Sequence, residues 1–129
     1  MNAPLVLVVD DDPDILEAIC DILGTESYRV ARAKNGLEAL EQVAAERPDV
    51  ILLDLMMPVM DGVTFAQALR QRPAAADVPI VIISADGNPA RAASVQARGY
   101  LAKPFDIDAL IAHVAAITRS GGGEPRAGV

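Results

Sequence analysis

Apolar positions fall along this chain in two rhythms. Leu5, Val6, Leu7, Val8 and Val9 form an uninterrupted run, as a strand buried on both faces requires. Val50, Ile51, Leu52 and Leu53 repeat that run, and so do residues 79–83. Residues 28–33 read as a weaker strand and 100–102 as a fifth strand. Between the runs the spacing becomes helical. Ile15, Leu16, Ile19, Ile22 and Leu23 mark a first helix, and Leu40 and Val43 an inward face over 37–46. Phe65 and Leu69 do the same over 63–72, and Ile107, Leu110, Ile111, Val114 and Ile117 mark a last helix. A short helix over 91–98 is the weakest, because Val95 is its only large aliphatic residue.

The punctuation agrees with this alternation. Asp12–Pro13 predicts an N-cap followed by a first helical residue. Gly24 predicts the stop of the first helix, and Asn35–Gly36 a turn. Pro48 follows the second helix, Asp61–Gly62 and residues 86–89 read as loops, and Asp106 can cap the last helix. Five strands, each followed by a helix, predict an α/β fold: a doubly wound five-stranded parallel sheet covered on both faces. The expected domain spans residues 1–119, with 120–129 a flexible Gly-rich tail or linker stub.

Composition narrows the function classes. With 129 residues, 52 % hydrophobic and only 3 % aromatic, the core must be built from Val, Ile, Leu and Ala. A net charge of −7 argues against direct nucleic-acid binding, which depends on basic surface. Residues 5–9 are too short for a signal-peptide core, and no segment approaches membrane-spanning length. Cys20 is the lone cysteine, so no intramolecular disulfide can form, and a reducing, cytoplasmic setting is expected.

Parallel sheets of this kind place their sites outside the carboxyl ends of the strands. The first strand ends in Asp10, Asp11 and Asp12, the third in Asp54, the fourth in Ser84 and the fifth in Lys103. Clustered carboxylates repel unless a charge neutralises them, and a hard divalent cation does so through oxygen ligands. Lys103 would add a second positive charge and Ser84 a hydrogen-bond donor. Such a pocket suits phosphoryl transfer, with one carboxylate as nucleophile if the phosphate becomes covalent. Asp54, alone at the end of a buried central strand, is the best placed. Taken singly, these residues have plainer readings. Asp12 is explained fully as a helix cap, Asp54 as a loop-entry residue, Ser84 as an ordinary strand-end serine and Lys103 as a solvated charge. Their joint placement is what carries the functional reading.

At these residues the chain resembles the receiver domain of bacterial two-component response regulators, of the single-domain, chemotaxis-regulator kind. The likeness rests on Val8-Val9-Asp10-Asp11-Asp12-Pro13, on Asp54-Leu55-Met56-Met57-Pro58-Val59-Met60-Asp61-Gly62, on Ile82-Ile83-Ser84-Ala85 and on Tyr100-Leu101-Ala102-Lys103-Pro104-Phe105. It runs from residue 4 to about 119. It implies a (βα)5 flavodoxin-like fold in which Asp54 takes a phosphoryl group from a sensor histidine kinase or histidine phosphotransfer protein. It implies Mg²⁺ (or Mn²⁺) held by Asp11, Asp54 and the Met56 backbone carbonyl, with Asp10 acting through water. Ser84 and Lys103 would contact the phosphoryl group, Tyr100 would move inward with Ser84, and Lys103–Pro104 would be cis. Met57–Pro58, Asp61–Gly62 and Phe105 read as architecture, Tyr100 equally as edge-strand packing, and His113 as a polar-face residue of the last helix. Such a chain is a switch, not an enzyme, beyond self-phosphorylation and self-dephosphorylation.

One departure stands out. The segment from Ser84 to Lys103 is a few residues shorter than the family usually shows, so the helix over 91–98 is expected to be stunted. Two other classes compete. A degenerate receiver would be a phosphorylation-independent interaction module, but such copies lose an acid or the lysine, and this chain keeps them. An aspartyl-phosphate phosphatase of the haloacid dehalogenase class needs a second Asp two residues after the nucleophile, where this chain has Met56. A flavin module would not place three aspartates where a phosphate must sit. The output partner, the phosphate lifetime (which Met56 and Asp86 tune in the family), dimerisation on phosphorylation and the nature of the Gly121–Gly123 stretch stay open.

Overall fold

The two rhythms become a layered α/β structure in the computed structural model, which describes residues 3–85, 90, 93 and 95–121. Its strands are β1 (Leu5–Val9), β2 (Arg29–Ala33), β3 (Val50–Leu53), β4 (Ile80–Ser84) and β5 (Gly99–Ala102). Its helices are α1 (Pro13–Thr25), α2 (Gly36–Ala45), α3 (Gly62–Arg70) and α4 (Ile107–Gly121). All strand pairs are parallel, in the order β2-β1-β3-β4-β5. This is the expected doubly wound, flavodoxin-like topology, and the order reverses between β1 and β3.

Strand residues divide by parity between two cores, because successive side chains point to opposite faces. Leu7, Val9, Ile51, Leu53, Ile80 and Ile82 pack with Leu40 and Val43 of α2 and Phe65 and Leu69 of α3. Val6, Val8, Leu52, Val81 and Ile83 pack with Leu16, Ile19 and Leu23 of α1 and Leu110, Val114 and Ile117 of α4. Both faces of the central strands are therefore dry, which explains their unbroken apolar runs.

The expected element borders shift at identifiable residues. Asp12 caps α1, its side chain accepting from the N–H groups of Asp14 at 2.9 Å and Ile15 at 3.4 Å. Gly24 lies inside α1; the chain turns at Ser27, which adopts φ 71°. Asn35 is a helix cap and not merely a turn residue: its Oδ1 accepts from Glu38 N at 2.8 Å, so α2 begins at Gly36. Asp106 accepts from Ala109 N at 3.2 Å, and α4 runs through Gly121, past the expected start of the tail. The rest of that tail lies outside the described residues. His113 is half-buried; a Cβ at Gly99 would meet its Nδ1 at 2.8 Å, so it turns toward β5 and away from a solvated face.

The helix expected over 91–98 falls partly outside the described residues, at 91, 92 and 94, as do Asp86 and the loop over 86–89. The described part is short, as expected: Ala93 is helical, and the helix ends before Val95. Val95 and Gln96 form a turn, with Gln96 at φ 56°, and Arg98 N already donates to Ile80 O at 2.7 Å. Val95 is the one large apolar side chain of this stretch. It is buried where the turn begins, so nothing further along holds a helix to the core. Among the described residues no helix is long and apolar enough to cross a membrane.

Candidate functional site

The reversal of strand order opens the sheet's carboxyl edge between β1 and β3, and the acids lie there. Asp10 follows β1 and Asp54 follows β3, with Asp54 N donating to Val9 O at 2.9 Å. Asp10, Asp11 and Asp54 each bring a carboxylate oxygen to within 4.8 Å of the others. Asp10 and Asp54 are only 2 % and 4 % exposed, whereas Asp11 faces solvent. The buried pair is held by local hydrogen bonds. Asp10 Oδ1 accepts from Asp12 N at 2.9 Å, and Asp54 Oδ1 accepts from Met56 N at 3.2 Å. Asp12, as read, serves the helix and stays out of the cluster.

Lys103 arrives from the end of β5 and joins both acids. Its Nζ lies 2.9 Å from Asp10 Oδ2 and 3.3 Å from Asp54 Oδ2, with its side chain 16 % exposed. It is a buried counterion and not a solvated charge. Its backbone N–H donates to Ser84 O at 2.9 Å, which fastens β5 to the end of β4. Ser84 is fully buried at that end. The Lys103–Pro104 peptide is cis. Tyr100 is half-buried on the edge strand β5, packed against the α2–α3 core, and Phe105 packs beside Ala109 against the other core.

The electrostatics show how crowded the acids are. Burial raises the Asp54 carboxyl above its ordinary value; the Met56 N–H opposes this, the Asp10 charge adds to it, and Lys103 only partly offsets it. For Lys103, burial alone would lower the ammonium, but the hydrogen bond and charge of Asp10, followed by Asp54, hold it above its ordinary value. Three clustered carboxylates are met by one ammonium, which pairs with only Asp10 and Asp54, so a further cation is electrostatically favoured. The donor set is all oxygen, which suits a hard divalent ion. A cavity of about 430 Å³, lined by Asp11, Leu55, Met56, Met57, Pro58 and Asp61, opens beside them. A smaller cavity of about 200 Å³ between α3 and the Val95–Gln96 turn carries none of these acids.

Two features of the site were not anticipated. Asp61 caps α3, accepting from Thr64 N at 2.8 Å, and also lines the cavity. Gly62 passes so close to β3 that a Cβ would stand 2.5 Å from Asp54 O and 2.7 Å from Leu55 Cα. The Asp61–Gly62 pair signals a loop in the sequence, but its contact with the strand bearing Asp54 is tertiary. Asp10, Asp11, Asp54, Met56, Ser84 and Lys103 are all brought to one rim, and Tyr100 sits on the strand beside it.

Comparison with known proteins agrees with this geometry. The sequence pattern of the family "Response regulator receiver domain" matches residues 6–115. The transcriptional regulatory protein PrrA of Mycobacterium tuberculosis is 42 % identical over 125 residues, covering 95 % of this chain and 53 % of the relative. The response regulator MprA of Mycobacterium ulcerans is 39 % identical over 117 residues, covering 88 % of this chain and 50 % of its own length. The chain thus spans about half the length of the curated relatives it matches. Among solved structures, the chemotaxis response regulator CheY4 of Vibrio cholerae superposes with a TM-score of 0.84 at 32 % identity, covering 90 % of this chain and 99 % of that one. A response regulator from Chloroflexus aurantiacus gives 0.85 at 33 % identity, covering 92 % of this chain and 100 % of the other.

Proposed function

Because the chain belongs to the response regulator receiver domains, we propose that it is a phosphorylation-dependent switch whose phosphoacceptor is Asp54. Receivers are phosphoacceptor switches rather than enzymes in the usual sense. The observation that carries the assignment is the convergence of Asp10, Asp11 and Asp54 within 4.8 Å, with Lys103 bridging Asp10 and Asp54. A carboxylate oxygen of Asp54 attacks the phosphorus of a phosphohistidine on a sensor kinase or phosphotransfer protein. The P–N bond breaks, the imidazole leaves with its electron pair and takes up a proton, and an aspartyl phosphate remains.

Asp11, Asp54 and the Met56 carbonyl would hold Mg²⁺, with Asp10 reaching it through water. When bound, such an ion would supply charge neutralisation for the transferring phosphoryl group. Lys103 exchanges its contact with the Asp54 carboxylate for one with the phosphoryl oxygens, and the Ser84 hydroxyl supplies a further donor. Tyr100 follows Ser84, so that the new charge is read out along β4 and β5. The partners are a histidine kinase or phosphotransfer protein and an output protein, in a cytoplasmic setting.

The test is intact mass after incubation with acetyl phosphate and Mg²⁺. The expected outcome is one added phosphoryl group that requires Mg²⁺ and is absent from Asp54→Asn. A gain that survives Asp54→Asn would reassign the acceptor, and no gain even with a phosphorylated kinase would favour a phosphorylation-independent interaction module.

A further inference from the structure

Residues 54–61 connect β3 to α3, and Leu55, Met56, Met57, Pro58 and Asp61 form one wall of the acidic cavity. Two glycines from opposite sides hold this loop. At its far end Gly62 N donates to Leu55 O at 3.1 Å, and the missing Cβ lets α3 press against Asp54 O. At its middle, the loop touches α2. Gly36 N, at the first residue of α2, donates to Met60 O at 2.9 Å. A Cβ at Gly36 would stand 2.7 Å from Met60 Cγ and 2.8 Å from Met60 O. Between these points the chain is wound tightly. Met60 N donates to Pro58 O at 2.7 Å across Val59, which is held at φ 70°.

We infer that Gly36 is a positioning residue for the divalent-metal site: it sets the height of the β3–α3 loop and so the place of the Met56 carbonyl. This rests on the metal-site reading given above. The physical argument is one of where displacement can go. Bulk added at residue 36 pushes on Met60. Movement toward α3 is blocked, because Gly62 is bonded to Leu55 O and lies too near the backbone of Asp54 and Leu55 for even a Cβ to fit. Movement must therefore pass back through Val59 and Pro58 to Met57 and Met56, which line the cavity with Asp11. Residue 36 itself touches no reacting group. It acts at a distance, as groups that orient metal ligands do, and loss of such support typically weakens binding about 10-fold or more.

The test is direct metal affinity of the unphosphorylated protein, read by Mn²⁺ electron paramagnetic resonance titration, with thermal unfolding followed separately. Gly36→Ala is expected to raise the Mn²⁺ dissociation constant about tenfold. The rate of acetyl-phosphate labelling should fall at low Mn²⁺ and recover at saturating Mn²⁺. Gly24→Ala is the control, since a Cβ there meets nothing within 4 Å, and it should leave affinity unchanged. If Gly36→Ala does not fold, the double variant Gly36→Ala/Met60→Ala removes the side-chain clash and keeps the pressure on the Met60 carbonyl; it should still lose affinity. Wild-type affinity in a folded Gly36 variant would mean that α2 tilts away instead, and would overturn the inference. Failure of the wild-type protein to bind Mn²⁺ at all would overturn the metal-site reading on which it stands.

Discussion

Lys103 sits closer to Asp10 than to Asp54: its Nζ is 2.9 Å from the Oδ2 of the first and 3.3 Å from that of the second. The ammonium is thus shared between a carboxylate that stays a carboxylate and one proposed to become an acyl phosphate. In the proposed reaction the longer contact is the one a phosphoryl group would replace, and the shorter one would let Lys103 follow the new charge without leaving Asp10. A lysine suits this task better than an arginine, because its donors rotate about a point charge and are not fixed in a fork.

Replacing that ammonium should expose the repulsion it hides. Lys103→Met is expected to lose about 2 kcal/mol of stability in chelator, since two nearly buried carboxylates lose their counterion. Mg²⁺ should reduce the deficit, because the ion takes over the neutralisation. Chemical denaturation of both proteins with and without Mg²⁺ measures it. Equal losses in the two conditions would show that Lys103 stabilises through packing alone. Because Lys103 is held above its ordinary 10.5, its contribution should persist through neutral pH and be lost only as pH rises through the folded value.

The raised Asp54 carboxyl gives the opposite sign. A carboxyl raised above 3.8 on folding binds its proton more tightly in the folded state. Stability is then lost as pH rises from the unfolded value through the folded one, and the full cost is present at neutral pH. Asp54→Asn cannot ionise. In chelator it should unfold at a higher temperature than the wild type at pH 7, with the difference shrinking as pH falls toward 4. A variant less stable than wild type at pH 7 would mean that the contact with Lys103 outweighs burial and the Asp10 charge.

The parts of this fold that a linear pattern can encode were legible. Unbroken apolar runs at 5–9 and 50–53 have few alternatives once strands alternate with amphipathic stretches, and the acids after them follow from the sheet's geometry. Borders moved where a side chain had two meanings: Asn35 signals a turn, but its amide oxygen caps a helix. Gly36 and Gly62 gave no sign of what they touch, because Met60 and the Asp54 carbonyl approach them only after the sheet closes. Val59 at φ 70° contradicts the local preference of a β-branched residue, so only tertiary context could place it there. The helix expected over 91–98 is short, as its sequence implied: Ala93 is helical, Val95 and Gln96 already form a turn, and a single buried valine cannot hold a further turn to the core.

Arg70 shows how the short segment before β5 is fastened. Its Nη1 donates to Ala76 O and Val78 O, both at 2.9 Å, and its Nη2 to Val95 O at 3.4 Å. Its Nε is buried with no hydrogen-bond partner among the described residues, and burial lowers the guanidinium's pKa. Arg70→Met should cost about 2 kcal/mol, because three carbonyls lose a donor while the desolvation of the cation is relieved. Arg70→Lys should not restore the loss, since one ammonium cannot span that fork. Denaturant midpoints for the two variants decide it; full recovery in the lysine variant would reduce Arg70 to a point charge.

Val59 is the strained point of the β3–α3 loop, and relieving it should stabilise the protein. The residue is 78 % exposed, so its side chain contributes little by burial. Its φ of 70° is unfavourable for any L-residue and worse for a β-branched one, at roughly 1–2 kcal/mol. Glycine adopts that angle freely but loses more conformational entropy on folding, by roughly 0.5–1 kcal/mol. The relief is the larger effect, so Val59→Gly should gain about 0.5–1 kcal/mol, a rise of roughly 2–5 °C in melting temperature for a domain of this size. If the strain also braces the loop, the same variant should bind Mg²⁺ more weakly while being more stable, because a glycine lets Pro58 and Met57 wander. Calorimetric melting and metal titration on one preparation separate the two effects. A Val59→Gly protein that melts below the wild type would show that this exposed valine makes a contact worth more than the strain it bears.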